Sequence, residues 1–252
     1  MTGGIGIALG AGGRRGFAHV GVLETLVEHG IPIAYIAGAS IGSVIGTLWA
    51  FGHPPDQIME MVADTRRHLL ALTVPVRSLL SNRGIRRHIE RSAAGRAFED
   101  SPIPLAAVAT DLRDGSRVAL RAGHLAPAIL ASSSIPGLFP PVTLGGRTLV
   151  DGGLSEPVPT TTVAELGARV VIGVSLASAR GDAPAPRGLL GTLLRSSEIL
   201  QARADAHAAR RADLVIAPDL PALGSAASYR AAGRAATLAA LPRLRQLAGL
   251  PS

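Results

Sequence analysis

Apolar residues at the start of this chain alternate between two habits. Residues 5–9 form a short apolar run that Gly10 closes, and after Gly16 the positions Val20, Leu23, Leu26 and Val27 recur at helical spacing until Gly30. The order then repeats, with 33–37 as a second apolar run and 41–51 as a second helix closed by Gly52. Apolar runs without alternation suit strands covered on both faces, and strand-glycine-helix units with short connections build parallel sheets flanked by helices. An α/β fold is therefore expected.

Farther along, residues 54–100 read as helices broken by Pro75 and Gly84, lying between sheet elements like an inserted cap. Residues 103–110 and 117–120 read as strands joined by an Asp114-Gly115 turn, 126–132 as a short helix, and 142–144 with 148–150 as a hairpin around Gly145-Gly146. A further buried strand is expected at 170–174, followed by a Gly/Pro/Ala loop over 178–188. The rest reads as an alanine-rich helix reaching Arg211, a strand at 214–217 and a last helix from about 226 to 247.

Composition narrows the class. A chain of 252 residues can bury one sizeable core, so a single domain over 1–252 is expected. A hydrophobic fraction of 47% with 30 Gly excludes a disordered or collagen-like chain. With no cysteine there is neither a disulfide frame nor a thiolate metal site. The first residues lack the charged start of a signal peptide, and no apolar run reaches the ~18 residues of a membrane helix, so a cytoplasmic protein is expected. Every basic residue is arginine. Arg66, Arg67, Arg77, Arg83, Arg86, Arg87, Arg91 and Arg96 fall between Thr65 and Phe98 against one acid, Glu90, a window whose +7 equals the net charge of the whole chain. Interleaved with leucines, the 65–98 stretch reads first as a solvated helical face and second as a peripheral dock for an anionic membrane. No nucleic-acid partner is expected, and the sequence sets no oligomeric state.

Three patterns carry candidate chemistry. Gly38-Ala39-Ser40-Ile41-Gly42 follows a predicted strand and opens a predicted helix, the setting of a nucleophile elbow, with Gly38 and Gly42 making room for the sharp turn. The plain alternative is a tight turn with an ordinary N-cap serine. Gly10-Ala11-Gly12-Gly13-Arg14-Arg15-Gly16 ends the first strand, and such a loop aims consecutive backbone N–H groups at an anion, a phosphate or an oxyanion. A P-loop is excluded because there is no lysine, and a dinucleotide fold lacks its ribose-binding acid, since the second strand runs into Ser40. Asp151-Gly152-Gly153, after the strand at 148–150, would by itself be a plain turn.

Together the three resemble the patatin-like phospholipase family, especially its small bacterial members. That family joins a G-G-x-R-G oxyanion loop, a G-x-S-x-G serine and an Asp-Gly-Gly aspartate in this order, matched here by Gly12 to Gly16, Gly38 to Gly42 and Asp151 to Gly153. The likeness extends to Ala109-Thr110-Asp111-Leu112, to the segment from Ala131 to Val142, and to the closing strand and helix. It implies a three-layer α/β/α fold with a mainly parallel sheet and a helical cap insertion. It also implies a serine acyl hydrolase of lipid esters, with Ser40 as nucleophile and Asp151 as its base. The amides of Gly12, Gly13 and Arg14, with Ile41, would form the oxyanion hole, while Arg15 and Gly16 would shape the loop or meet a substrate phosphate. No metal or other cofactor is implied, and segments 132–142 and 54–100 would line an aliphatic acyl pocket. Two departures stand out: Ala11 replaces a usual glycine, and Glu156 replaces a frequent asparagine. A carboxylate at 156 is expected to raise the pKa of Asp151 by like-charge repulsion.

Three readings compete. A Ser-His-Asp triad would need His207, the histidine that follows Asp151, which sits in a mid-helix pattern. His19, His29, His53, His68, His88 and His124 show no ligand or base spacing. An acyltransferase would use the same acyl-enzyme, and a non-catalytic anion or nucleotide binder would use only Gly12 to Gly16.

Overall fold

A computed structural model describes residues 4–67, 89–90, 95–177, 188, 191–192, 195–196, 199–201, 203 and 211–251. The strands are β1 (Ile5–Leu9), β2 (Ile33–Ala39), β3 (Leu105–Asp111), β4 (Arg117–Leu120), β5 (Val142–Leu144), β6 (Arg147–Asp151), β7 (Val170–Val174) and β8 (Leu214–Ile216). The helices are α1 (Phe17–Glu28), α2 (Ile41–Ala50), α3 (Pro55–Arg67), α4 (Leu125–Ser132), α5 (Thr160–Glu165) and α6 (Ala226–Ala248).

All eight strands form one sheet in the order β5-β6-β3-β2-β1-β7-β8, with β4 also on β3. The run β3-β2-β1-β7-β8 is parallel, and the two hairpins add antiparallel pairs at β3-β4, β3-β6 and β5-β6. This is the α/β sheet flanked by helices that the strand-glycine-helix pattern predicts.

The register around β3 decides where the site lies. Ala107 and Val108 pair with both β2 and β4, so these two strands occupy opposite edges of β3. Ala109 and Thr110 pair with both β4 and β6, so β6 shares the β2 edge. Strands β2 and β6 therefore meet end to end there: Ala39 faces Val108, and Asp151 faces Ala109.

Side-chain size differs between the two faces of the sheet, as period-2 alternation allows. Ile7, Leu9, Ile36 and Leu105 point into the larger core, which also holds buried residues of α1, α2, α3 and α6. Ala8, Ala37 and Ala106 point the other way, against Val158, Val163 and Val171. Small side chains on that face let α5 come close. At the α1–α6 crossing, Cβ atoms added to Gly21 or Gly233 would lie 2.0 Å from the Arg230 and Ala18 carbonyl oxygens, so the backbones touch. Arg230 binds Glu24 and Asp56 at 2.6 and 2.7 Å, tying α6 to α1 and α3.

Element boundaries move only slightly from the sequence expectation, but α5 is an addition. Its run of three threonines has weak helix propensity, and the helix begins where Glu156 accepts hydrogen bonds from Thr161 N (2.7 Å) and Thr162 Oγ1 (2.5 Å). Of the region expected as a cap, α3 and the turn Phe98–Asp100 are described, with Ile89 buried. The remainder of that region, most of the 178–211 segment and His207 lie outside the described residues. Of the eight arginines in the 65–98 stretch only the side chain of Arg96 is described, 4.8 Å from the centre of the Phe51 ring. No helix among the described residues is long and apolar enough to cross a membrane.

Candidate active site

The end-to-end meeting of β2 and β6 brings together Ser40 and Asp151, 111 residues apart in the chain. Ser40 Oγ–H donates to Asp151 Oδ2 at 2.6 Å, and the residues are 7% and 2% exposed. Ser40 leaves β2 with φ 53° and ψ −123°, and among the described residues it is the one non-glycine with positive φ. Strain of this kind costs on the order of 1–3 kcal/mol and persists where surrounding structure imposes it. Here the glycines impose it by close approach. A Cβ on Gly38 would lie 2.4 Å from Gly42 backbone atoms, and one on Gly42 would lie 2.1 Å from Leu9 O.

Polar side chains hold the elbow from three sides. Ser40 N–H donates to Ser132 Oγ at 3.0 Å, and the Ser40 carbonyl accepts from Ser43 Oγ at 2.7 Å and from Ser133 Oγ at 3.5 Å. On the other side of the pair, Asp151 N–H donates to Ser134 O at 2.9 Å, while Asp151 O accepts from Thr110 Oγ1 at 2.8 Å. The 132–134 segment thus grips both strand ends at once. Sequence reading assigned this segment to the acyl pocket and missed its grip on the pair. The consecutive serines were the available signal, since buried hydroxyls must find partners.

Asp151 has a second anchor, because its Oδ1 accepts Gly153 N–H at 2.8 Å. Burial pushes its carboxyl up from 3.8 to about 6, against the opposing pull of the Ser40 hydroxyl and the Gly153 amide. The expected rise is present, but like-charge repulsion from Glu156 is not its cause. The Glu156 carboxylate is turned to the α5 amides and lies 3.8 Å from Arg117, so its charge is already met there. Gly152 is needed for packing, since a Cβ would meet Val108 O at 2.0 Å.

The glycine-rich loop reaches the same end of the sheet from β1. Gly10 N–H and Ala11 N–H are occupied by Val174 O (3.0 Å) and Pro157 O (2.8 Å), and Arg15 N–H by Gly12 O (3.1 Å). Among the described residues the N–H groups of Gly12, Gly13, Arg14 and Ile41 have no acceptor, the last because it opens α2. Gly16 packs on Ile41, where an added Cβ would lie 2.2 Å from Ile41 Cγ1, so the two amide-bearing turns abut. Ala11 fits without strain: its φ is not positive, and its side chain lies against Gly153. The Arg14 guanidinium donates to Gly224 O at 3.3 Å, and among the described residues Arg15 pairs with no carboxylate.

No histidine among the described residues hydrogen-bonds the pair. His29 and His53 bond Thr25 O and Gln57 Oε1, His124 precedes α4, and His19 is buried within α1. Among the described residues no group of three His, Asp or Glu side chains could hold a metal ion. A desolvated hydroxyl–carboxylate pair beside unoccupied amides is suited to nucleophilic attack on a carbonyl with stabilisation of the resulting oxyanion.

Comparison with known proteins gives a consistent picture. The sequence profile of the patatin-like phospholipase family matches residues 7–164. An uncharacterized NTE family protein of Mycobacterium tuberculosis is 40% identical over 178 residues, which is 68% of this chain and 49% of that protein. Lysophospholipase NTE1 of Debaryomyces hansenii is 34% identical over 188 residues, 71% of this chain but 12% of the yeast protein. The chain thus spans about half the length of the mycobacterial relative and a small part of the yeast one. The crystal structure of VipD from Legionella pneumophila shares the fold, with a TM-score of 0.52 at 13% identity, covering 98% of this chain and 66% of VipD.

Proposed function

Because the chain belongs to the patatin-like phospholipase family, we propose that it hydrolyses carboxylic esters of lipids through an acyl-enzyme on Ser40 with Asp151 as general base. The carrying observation is the buried 2.6 Å hydrogen bond from Ser40 Oγ to Asp151 Oδ2. Relatives named lysophospholipases make a lysophospholipid the first substrate class to try.

In this reading Ser40 Oγ attacks the ester carbonyl while its proton passes to Asp151 Oδ2. The electrons displaced from the C=O bond settle on oxygen, to which the N–H groups of Gly12, Gly13, Arg14 and Ile41 donate hydrogen bonds. Collapse breaks the bond to the leaving alkoxide, which takes the proton from Asp151 and departs as an alcohol. Asp151 then deprotonates a water that attacks the acyl-Ser40 ester, and Ser40 recovers its proton as the fatty acid leaves. A free aspartate is a weak base at neutral pH, but a carboxyl raised to about 6 by burial is better matched to the task and still ionised. Preorganised donors in a water-poor site supply the larger share, since removing one typically costs ~10²-fold.

The test is hydrolysis of a chain-length series of esters and lysophospholipids with wild type, Ser40→Ala, Asp151→Ala and His207→Ala, alongside labelling by a fluorophosphonate. Wild type and His207→Ala are expected to turn over substrate and label, Ser40→Ala to do neither, and Asp151→Ala to lose at least ~10³-fold in turnover. Loss in His207→Ala with activity kept in Asp151→Ala would overturn the pair as the catalytic unit. No labelling of folded wild type would favour an anion binder.

A further inference from the structure

His19 is fully buried in the first turns of α1, and its Nε2 lies 2.7 Å from the carbonyl oxygen of Gly10. A carbonyl can only accept, so the ring carries its proton on Nε2 and donates it. Nδ1 has no partner among the described residues. Burial holds the ring's pKa down to about 4, so it is neutral at neutral pH and acts as a plain donor. A phenyl ring would fill the same space with no orphaned nitrogen. What the imidazole adds is one N–H bond, and it goes to the residue that starts the amide loop.

That bond fixes a peptide plane. The Gly10 carbonyl and the Ala11 N–H belong to one planar unit and point in opposite directions. Its oxygen end is held by His19 and its N–H end donates to Pro157 O at 2.8 Å. Gly42 closes on the same oxygen from α2, where an added Cβ would lie 2.9 Å away. The next peptide units carry the N–H groups of Gly12, Gly13 and Arg14. With the Gly10–Ala11 plane clamped at both ends, the loop that carries these amides leaves β1 from a fixed peptide.

We propose that His19 is a positioning residue for the ester hydrolysis, holding the Gly10–Ala11 peptide so that the amides after it face the oxyanion formed at Ser40. The proposal rests on the reading of the site given above. It takes no part in proton transfer, because His19 bonds neither Ser40 nor Asp151. A misdirected donor lowers transition-state binding and leaves ground-state binding alone, so the loss belongs in kcat.

The experiment compares His19→Phe, which keeps the ring and drops the donor, with His19→Gln, whose amide nitrogen stands the same number of bonds from Cβ as Nε2. Against a soluble short-chain ester, His19→Phe is expected to lose ~10- to 100-fold in kcat with KM within about threefold, and to bind a trifluoromethyl ketone weaker by the same factor. His19→Gln is expected to restore most of both. Hydrogen exchange at the Ala11 amide is expected to speed at least ~10-fold in His19→Phe and to return in His19→Gln. Folded His19→Phe with unchanged Ala11 exchange, or with kcat within threefold of wild type, would overturn the proposal. If His19→Phe does not fold, His19→Asn replaces it: its amide is one bond short of Gly10, so kcat equal to that of His19→Gln overturns the idea equally. Failure of the hydrolase reading is seen elsewhere, as turnover retained in Ser40→Ala.

Discussion

Under the proposed mechanism, the buried carboxyl of Asp151 serves activity and opposes stability. Burial raises its pKa from 3.8 to about 6. As the proposed base it accepts a proton only when ionised, so kcat/KM should rise with pH to a plateau with a midpoint near 6. Because Glu156 spends its charge on the α5 amides and Arg117, Glu156→Gln should leave that midpoint in place. A midpoint near 4, or one that moves with Glu156→Gln, would contradict the assignment to burial. The stability sign runs the other way. The folded protein holds this proton more tightly than the unfolded chain, so its stabilising effect is complete below 3.8 and is lost as pH rises through about 6. About two pK units correspond to about 3 kcal/mol at most. Asp151→Asn, uncharged and expected to be inactive, should be more stable than wild type by ~1–3 kcal/mol in urea at pH 8, with the gap closing towards pH 4.

Among the elements, the three serines after α4 couple the two strand ends. Ser132 is 0% exposed and accepts the Ser40 N–H, while the Ser134 carbonyl accepts the Asp151 N–H. Removing the Ser132 hydroxyl leaves a buried amide unmatched, a cost of ~1–3 kcal/mol, and frees the strained Ser40 backbone to relax. Ser132→Ala should lower kcat on a soluble ester ~10-fold or more while fluorophosphonate still labels Ser40. Turnover within twofold of wild type would show that the glycines alone hold the elbow. The Ala109-Thr110 stretch gains a role by the same reasoning: it is the edge on which β2 and β6 converge, and Thr110 Oγ1 fixes the Asp151 carbonyl. The family likeness marked this stretch without giving it a role, because the role depends on which strands meet along its edge.

Over the whole molecule, the family match ends at residue 164 but the sheet does not. Strand β7 is the second neighbour of β1, Val174 O accepts Gly10 N–H, and α6 packs backbone to backbone on α1. A fragment of residues 1–168 should therefore lack a cooperative unfolding transition, whereas the 252-residue chain should show a single one by circular dichroism in urea. A cooperative fragment would argue against the single unit expected over 1–252. Among the described residues of the arginine-rich 65–98 stretch, Ile89 and Phe98 are buried in the core and Arg96 lies over the Phe51 ring.

Local pattern was enough for the order of the eight strands, for the described helices other than α5 and for the turn at Ser40, because apolar runs, glycine stops and a strand-to-helix turn are written in consecutive residues. It was also enough to pair Asp151 with Ser40, though only through the likeness of three motifs in order. What it could not contain was the convergence of β2 and β6 on one edge of β3, the turning of Glu156 towards α5, or the bond from His19 to Gly10 O. Each depends on which segments become neighbours after the chain has folded back, and neither periodicity nor propensity carries that information. Helix α5 is the same lesson in small, since its threonines disfavour a helix that Glu156 and the alanine face of the sheet nevertheless hold in place.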